Sequence, residues 1–256
     1  MIQKIPYKDG HSLAYAEYGN KNGFPILLQH GLVASIRDYA LLDRLIKTGA
    51  RVICIARPGY GESSPSIMNK FADWSEVIGA LIQELQLSYF DILASSSGAP
   101  YGYSIGAGFP DNVRNIYVFS GTPALYDDVV LTYWPYPVNK DLNQEEAENT
   151  VAEVYFPGIQ PETAENDDIR DSMMNRCFGV AQDQRIKYLD WGFVLPEVKS
   201  RVFMQHSRTD DVIPYRCAVR TSQLLPNCSF ELLGDGPHFS PEAFEQFIEK
   251  TIAVHF

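Results

Sequence analysis

The sequence predicts an α/β fold built on a mostly parallel sheet with helices on both faces. Two observations support this prediction. Short runs rich in apolar and β-branched residues alternate along the chain with longer segments whose apolar residues recur at helical spacing. Most of the short runs are almost wholly apolar, as expected of parallel strands that helices cover on both faces. The 256 residues suffice for one domain with an insertion.

Eight short runs are predicted as strands. The first two, 2–8 and 11–18, flank a turn at Asp9-Gly10 and are expected to pair antiparallel. The other six are predicted as buried strands, and they occupy 25–29, 51–56, 90–94, 115–120, 201–207 and 229–234.

Helices are predicted between the strands from the spacing of apolar residues. Trp74 lies on the apolar stripe of the segment 71–86, and Tyr39 and Leu42 lie on that of 36–47. Three further helices are predicted, over 97–108, 214–224 and 240–253.

The segment 122–198 interrupts this alternation. It is acidic, it is rich in aromatic residues and prolines (YWPYP at 133–137), and it contains no clear buried strand. We predict a mostly helical insertion that divides the core into 1–121 and 199–256. Parallel sheets bind ligands beyond the carboxyl ends of their strands, so an insertion leaving from that edge is expected to form a cap over the crevice. Some of its aromatic residues could line a substrate pocket, and most are expected to pack the cap against the body.

The composition narrows the classes of partner. The formal net charge is -11 and no basic stripe is visible, so a nucleic-acid partner is not expected. The acidic runs at 141–149 and 162–168 are expected to be solvated. The N-terminus lacks the apolar run of a secretory signal, and no segment approaches the roughly 20 apolar residues of a membrane span. We therefore expect a cytoplasmic protein with a small-molecule substrate; the sequence does not indicate its oligomeric state.

The four cysteines show neither a C-x-x-C pair nor the spacing of metal ligands. They are expected to be reduced and structural. No metal site and no cofactor are predicted. The cysteines are Cys54, Cys177, Cys217 and Cys228.

The run DILASSSGAPYG at 91–102 predicts a nucleophilic serine. A strand ends there, a turn of small residues follows, and a helix begins, which is the setting of a nucleophile elbow. Strand and helix approach closely at such a turn, so the residues two before and two after the nucleophile must be small. Ser96 has Ala94 and Gly98 at these positions. Ala94 replaces the usual first glycine, and a slightly wider gap between strand and helix could absorb its methyl group.

The neighbouring serines are weaker alternatives. Ser95 would place the bulky Leu93 two positions before the nucleophile, whereas Ser97, between Ser95 and Ala99, is sterically tolerable. Ser96 is therefore favoured, and Ser97 comes second. Taken alone, the motif is also compatible with a capped helix start or an anion site at a helix N-terminus.

A serine nucleophile needs a neighbouring base, and His238 is the favoured candidate. It lies in a glycine-rich loop between the last predicted strand and the last helix, where an imidazole can reach the carboxyl edge of the sheet. The other histidines are placed less suitably: His11 near the first hairpin, His206 within a strand, His255 at the tail, and His30 in a loop with another expected role.

The base in turn needs a carboxylate that fixes its tautomer and stabilises the imidazolium. Asp210, at the turn after the strand 201–207, is favoured, and the adjacent Asp211 is expected to face solvent or cap the next helix. More remote alternatives for the acid are Asp127 and Asp128; Asp235 is expected to be a turn residue.

The loop QHGLVAS at 29–35 predicts an oxyanion hole. An oxyanion requires backbone N–H donors directed at the developing charge, and Gly31 lets the backbone turn close to a substrate. Leu32 and Ser97, the residue after the nucleophile, are predicted to supply the two N–H groups. His30 is expected to brace this loop rather than to act as the base.

The chain resembles the α/β-hydrolase superfamily over nearly its whole length. The matching segments are LLQHGL, ARPGYGESS, LASSSGAPYG, WGF, HSRTDDVIP and GPHFS. The resemblance implies eight strands with the second antiparallel, and a cap between strands six and seven. It also implies the triad Ser96, Asp210 and His238, in the Ser–acid–His order of this fold, with Leu32 and Ser97 as the oxyanion hole.

The triad predicts hydrolysis of a small-molecule carboxylic ester through an acyl-enzyme on Ser96. Hydrolysis of an amide or a C–C bond, a cofactor-free perhydrolase or haloperoxidase, and a non-catalytic small-molecule receptor remain alternatives, because the fold does not determine the function. Similar haloalkane and epoxide hydrolases carry Asp at the elbow, so Ser96 disfavours those reactions.

Overall fold

The computed structural model describes residues 1–8, 10–37 and 40–255 and contains one eight-stranded sheet. The strand order is β1-β2-β4-β3-β5-β6-β7-β8. Strand β2 runs antiparallel to both neighbours, and the other pairings are parallel, which confirms the predicted topology. The strands are β1 Ile2–Lys8, β2 His11–Gly19, β3 Pro25–Gln29, β4 Arg51–Ile55, β5 Phe90–Ser95, β6 Val113–Phe119, β7 Arg201–Ser207 and β8 Cys228–Leu233.

Eight α-helices lie in the described part of the chain. They are α1 Asp43–Lys47, α2 Asp73–Glu84, α3 Ala99–Gly108, α4 Asp128–Tyr133, α5 Gln144–Tyr155, α6 Asp167–Ile186, α7 Tyr215–Leu224 and α8 Pro241–Phe247.

Two predicted helices differ from the structure. Among the described residues of the segment 36–47, the helical ones form a 3-10 turn, Ala40–Leu42, and α1, whereas residues 36 and 37 belong to a loop hydrogen-bonded to Tyr18. Helix α8 continues as a π-helical turn, Ile248–Ile252, and a 3-10 turn, Ala253–His255, rather than as one α-helix. Asp9 of the predicted first turn and Tyr39 lie outside the described residues.

The apolar residues of the central strands explain the layered architecture. In β3, Ile26 faces one hydrophobic cluster and Leu27 the other, and both are fully buried. The aligned residues of β4, Val52 and Ile53, alternate in the same way. Because side chains of successive strand residues point to opposite faces, an uninterrupted apolar run needs helices on both sides of the sheet.

Segment 122–198 contains helices α4, α5 and α6, joined by loops and short 3-10 turns, and no strand, in agreement with the predicted mostly helical insertion. Helix α5 packs against α6. Helix α6 is interrupted at Met174–Cys177, where Asn175 and Arg176 have φ values of 54° and 61°. Its two halves can therefore contact different loops of the core. The division of the chain into a core and a cap stays a prediction.

The described residues include no helix with both the length and the apolar composition needed to cross a bilayer. All four cysteines are free thiols, and Cys54, Cys177 and Cys217 are buried.

Candidate active site

Ser96 lies at a sharp turn between β5 and α3. Its φ is 49°, in the left-handed region that residues with a Cβ adopt only under strain. The turn brings α3 against β3: a Cβ on Gly98 would lie 2.1 Å from the carbonyl oxygen of Gln29. Only glycine fits at this position, as the spacing requirement on the nucleophile elbow predicts.

The second small position shows how the chain tolerates Ala94. A Cβ placed on Gly102, one turn along α3, would lie 3.2 Å from the Ala94 Cβ, which is tighter than an ordinary contact. The missing side chain of Gly102 therefore leaves room for the Ala94 methyl group. A wider gap between strand and helix was predicted to absorb this methyl group. The structure instead provides the space at Gly102, and the glycine four residues after Gly98 was the sequence feature that indicated it.

Ser96, His238 and Asp210 form one hydrogen-bonded chain. The Ser96 hydroxyl lies 2.9 Å from His238 Nε2, and His238 Nδ1 lies 2.8 Å from Asp210 Oδ2. An ionised carboxylate only accepts hydrogen bonds, so Nδ1 carries the proton and Nε2 is the acceptor for the serine hydroxyl. The structure thus brings the three predicted triad residues together with the imidazole in the tautomer of a general base.

Asp210 is held in its ionised form. Its side chain is fully buried, which raises the pKa of the carboxyl, but hydrogen bonds from His238 and from the backbone N–H groups of Ile213 and Val212 outweigh burial and lower it. The two N–H groups bond Oδ1 at 2.8 and 2.9 Å, leaving Oδ2 for the imidazole. The turn after β7 therefore fixes the direction of the carboxylate.

Asp211 and Asp235 secure the histidine loop instead of serving as the acid. Asp211 is exposed, as the sequence predicts, and its Oδ1 also accepts the backbone N–H of His238 at 2.9 Å. Asp235 accepts the backbone N–H of Gly236 at 3.0 Å, as a turn residue does, and also the Thr209 hydroxyl. The loop that carries the imidazole is thus attached to the β7 turn at several points.

The two remoter acid candidates have structural contacts. Asp127 caps α4 through the backbone N–H of Val130 and forms an ion pair with Arg220 at 2.9 Å. Asp128 is the first residue of α4. Neither is hydrogen-bonded to His238.

His206 is a neighbour of the triad that sequence reasoning did not use. Its Nε2 lies 3.0 Å from the carbonyl oxygen of Ile213 and 3.3 Å from Asp210 Oδ2. Its Nδ1 is buried without a partner in the described structure, and burial lowers the pKa of the ring. A neutral His206 therefore packs behind the carboxylate. The remaining two histidines contact rings elsewhere, His11 at Tyr7 and His255 at Phe203.

His30 is a buried structural histidine. Its Nδ1 bonds the carbonyl oxygen of Gly31 at 2.8 Å, and its Nε2 accepts the backbone N–H of Arg57 at 3.4 Å. Burial, followed by the nearby Arg57 charge, holds the pKa of the ring well below its usual value. These contacts agree with a role in bracing the loop.

A buried ion pair anchors the same loop. Arg57, from the RPGYG segment, donates to the carbonyl oxygens of His30 at 2.6 Å and Gly31 at 2.8 Å, and to Asp183 Oδ2 at 2.6 Å. Asp183 lies on α6 and also accepts the Tyr60 hydroxyl. Nothing in the sequence pattern indicated Asp183, because it is separated from Arg57 by 126 residues.

Ser96 and His238 line a cavity of about 840 Å³, within the size range of small-molecule sites. Leu32 and Ser97, the predicted oxyanion-hole residues, line it together with Ser96 and His238. The opposite wall comes from segment 122–198 and is mostly apolar or aromatic; it includes Trp134, Tyr136, Val151, Tyr155, Lys187 and Tyr188.

Across residues 1–8, 10–37 and 40–255, no three His, Cys, Asp or Glu side chains are grouped so that they could hold a metal ion.

Two curated relatives match part of the chain. An uncharacterized hydrolase of Bacillus subtilis is 31% identical over 108 residues, which make up 42% of this chain and 37% of the relative. An uncharacterized hydrolase of Saccharomyces cerevisiae is 28% identical over 122 residues, 47% of this chain and 42% of the relative. The matches therefore span less than half the length of either relative.

Solved structures match over the full length. An esterase from Exiguobacterium antarcticum superposes with a TM-score of 0.77 at 18% identity, covering 99% of both chains. A bromoperoxidase from Bacillus anthracis gives 0.73 at 16% identity, covering 99% of this chain and 100% of the other. At these identities the likeness shows the fold alone. The sequence profile of the alpha/beta hydrolase fold family matches residues 25–152, half of the chain. The chain therefore belongs to the α/β-hydrolase family.

Proposed function

We propose that the protein hydrolyses small-molecule carboxylic esters through an acyl-enzyme on Ser96. The observation that carries this proposal is the hydrogen-bonded chain from Ser96 through His238 to Asp210, of which Ser96 and His238 line the cavity. A serine hydroxyl is a weak nucleophile unless a base takes its proton, and this arrangement provides that base. The structures of similar fold include an esterase, which agrees with this chemistry.

The proposed reaction follows from the position of each group. His238 Nε2 takes the proton of the Ser96 hydroxyl as the oxygen attacks the ester carbonyl. The N–H groups of Leu32 and Ser97 stabilise the oxyanion, and Asp210 stabilises the imidazolium. Collapse of the tetrahedral intermediate releases the alcohol with a proton from His238. Water, activated by the same imidazole, then attacks the acyl-enzyme and releases the acid.

A fluorophosphonate probe tests the nucleophile. We expect the probe to label the wild-type protein and the Ser95→Ala variant, and not Ser96→Ala, because Ser96 rather than Ser95 is hydrogen-bonded to the His238 imidazole. The labelled residue is identified by mass spectrometry of the peptide that contains 91–102. Labelling that persists in Ser96→Ala would contradict the assignment.

A panel of p-nitrophenyl esters of increasing acyl length tests the reaction. We expect turnover of at least one ester, and a fall in kcat of about 10⁴-fold or more in Ser96→Ala. The same assay with hydrogen peroxide and an organic acid detects peracid formation. Tight binding of esters without turnover would instead indicate a receptor.

A further inference from the structure

Lys187 is a cation in the cavity wall that the proposed triad chemistry does not use. It lies just after α6 and, among the described residues that line the cavity, it is the single lysine or arginine. The chain as a whole carries a net charge of -11, so a cation here does not reflect a generally basic surface.

The surroundings of the Lys187 ammonium are aromatic and neutral. Its Nζ lies 4.8 Å from the ring centre of Tyr188 and 5.7 Å from that of Trp134. It donates to the side-chain oxygen of Gln184 at 2.5 Å. An ammonium has three N–H donors, so this hydrogen bond leaves two for other acceptors.

The nearest carboxylate on the same helix is already neutralised. Asp183 Oδ2 accepts Arg57 at 2.6 Å and the Tyr60 hydroxyl at 3.0 Å, and Oδ1 accepts the Tyr101 hydroxyl. In the part of the chain that the structure describes, no carboxylate oxygen lies within 4.0 Å of Lys187 Nζ. Arg57, Asp183 and Lys187 together thus carry one excess positive charge. Asp168, whose carboxylate lines the same cavity, is hydrogen-bonded to the backbone N–H of Ser35 at 2.6 Å.

This excess charge is costly in the free protein. Burial lowers the pKa of Lys187 to about 8, with Asp183 acting in the opposite direction. A partly desolvated cation with two open donors gains most from a ligand that brings a negative charge and acceptor oxygens. Gln184, Tyr188 and Trp134 line the same cavity as Ser96, so such a ligand group would belong to the molecule bound at the triad.

Building on the proposed ester hydrolysis, we propose that the substrate carries an ionised carboxylate in addition to its scissile ester, and that Lys187 binds this carboxylate. Lys187 is then a specificity-determining residue. The carboxylate could belong to the acid part or to the alcohol part of the ester; its chemistry at the ammonium is the same in both cases.

Two matched pairs of esters distinguish these sources. Monoethyl adipate against ethyl hexanoate places the charge in the acid part, and 4-acetoxybutanoate against butyl acetate places it in the alcohol part. In at least one pair we expect a higher kcat/KM for the anionic ester. Replacing Lys187 by Met should lower the anionic-to-neutral ratio by about 10- to 100-fold, the range expected for losing a hydrogen bond to a charged group.

Two further variants serve as controls. Lys187→Arg keeps the charge and should retain more of the ratio than Lys187→Met. Lys250 also donates to a glutamine one helical turn earlier, Gln246 at 3.3 Å, but it is exposed and outside the cavity. Lys250→Met should leave the ratio at its wild-type value. Equal ratios in wild type and Lys187→Met, or no preference for the anion in either pair, would overturn the proposal.

Binding measurements separate this proposal from the proposed reaction. Calorimetry with Ser96→Ala protein measures affinity for monoethyl adipate, 4-acetoxybutanoate and their neutral partners without turnover. A preference for an anion that disappears in Ser96→Ala/Lys187→Met supports carboxylate recognition even where no ester is hydrolysed. Hydrolysis of neutral esters without any anion preference supports the reaction and rejects the role of Lys187.

Discussion

The two walls of the cavity are fixed in different ways. On the core side, the turn after β7 directs the Asp210 carboxylate, and Ser96, at φ 49°, lies in a turn that packs closely against β3 at Gly98. On the side of segment 122–198, Tyr155 and Val154 line the cavity but remain 43% and 65% exposed. The backbone thus places the groups proposed for chemistry, whereas side chains of helices shape the space proposed for the substrate. The two walls should respond differently to substitution.

Asp210→Asn should give the largest effect. An amide cannot hold the protonated Nδ1 of His238 as a carboxylate does, so we expect kcat for ester hydrolysis to fall about 10⁴-fold. Asp211→Asn is the matched control: Asp211 accepts only a backbone N–H of His238, and we expect a loss of about tenfold or less. Similar losses in the two variants, measured as kcat, would show that the acid is wrongly assigned.

Asp183→Asn should come next, with a loss of about 3–5 kcal/mol in the free energy of unfolding, because it leaves Arg57 buried without a counter-charge. Its kcat should also fall, since Arg57 holds the carbonyl oxygens of His30 and Gly31. Urea unfolding and ester turnover measure the two effects.

The pair Asp91–Arg114 provides the control for that variant. Asp91 is fully buried, accepts Arg114 at 2.6 Å, and lies at the opposite end of β5 from Ser96. Asp91→Asn should therefore lower stability and leave the kcat of the folded protein unchanged. A fall in kcat of the same size in Asp91→Asn and Asp183→Asn would mean that the Arg57–Asp183 ion pair has no specific effect on catalysis through the His30-Gly31 loop.

Val151→Ala tests the opposite wall. Val151 is 2% exposed on α5 and lines the cavity, so its truncation enlarges the space available to a substrate. We expect the preference among p-nitrophenyl esters to shift toward longer acyl chains by about tenfold in relative kcat/KM, the effect of about one methylene. Val154→Ala, at an exposed position of the same helix, should shift it less. If neither variant changes the preference for acyl-chain length, the acyl group of the ester does not bind against this part of α5.

Substitutions at Ala94 and Gly102, the small residues that pack against each other near Ser96, should give the smallest effect, and it should appear in the free energy of unfolding. Gly102→Ala adds a methyl group 3.2 Å from the Ala94 Cβ, and Ala94→Gly removes that neighbour. We therefore expect Gly102→Ala to be more favourable by about 1 kcal/mol in the Ala94→Gly background than in wild type. Urea unfolding of the four proteins of this double-mutant cycle measures the coupling. If the two substitutions change the free energy of unfolding additively, the side chains at positions 94 and 102 do not compete for the same space.

The strands were predictable because burial on both faces imposes an apolar run that few other structures produce. The proposed triad was predictable because Ser96, Asp210 and His238 follow strands whose carboxyl ends meet at one edge of the sheet. The contacts of Asp183 and the position of Lys187 in the cavity wall were not predictable. They depend on how far α6 turns back toward the core, and the interruption at Met174–Cys177 leaves no periodic signal in the sequence.

Local competition explains the other differences. The spacing in 36–47 fits a helix, but Arg37 and Ser35 bond Asp171 of α6, so residues 36 and 37 are held in a loop, and the first helical turn among the described residues of this segment is Ala40–Leu42. The additional contact of the exposed Asp211 with the histidine loop arises because the chain beyond β8 returns to the β7 turn, a contact between segments 27 residues apart.

The interruption of α6 has a consequence for recombining this protein with its relatives. Asp171 lies before the interruption and forms an ion pair with Arg37, and Asp183 lies after it and forms an ion pair with Arg57. The two arginines belong to separate loops outside segment 122–198. A chimera that exchanged segment 122–198 for that of another hydrolase would leave the buried Arg57 without its carboxylate, and would leave Arg37 with Glu62 alone, unless the donor segment supplied carboxylates at the same two places. The segment proposed to select the substrate is thus not an interchangeable module, and new specificities are more accessible by point substitution within it than by transplantation.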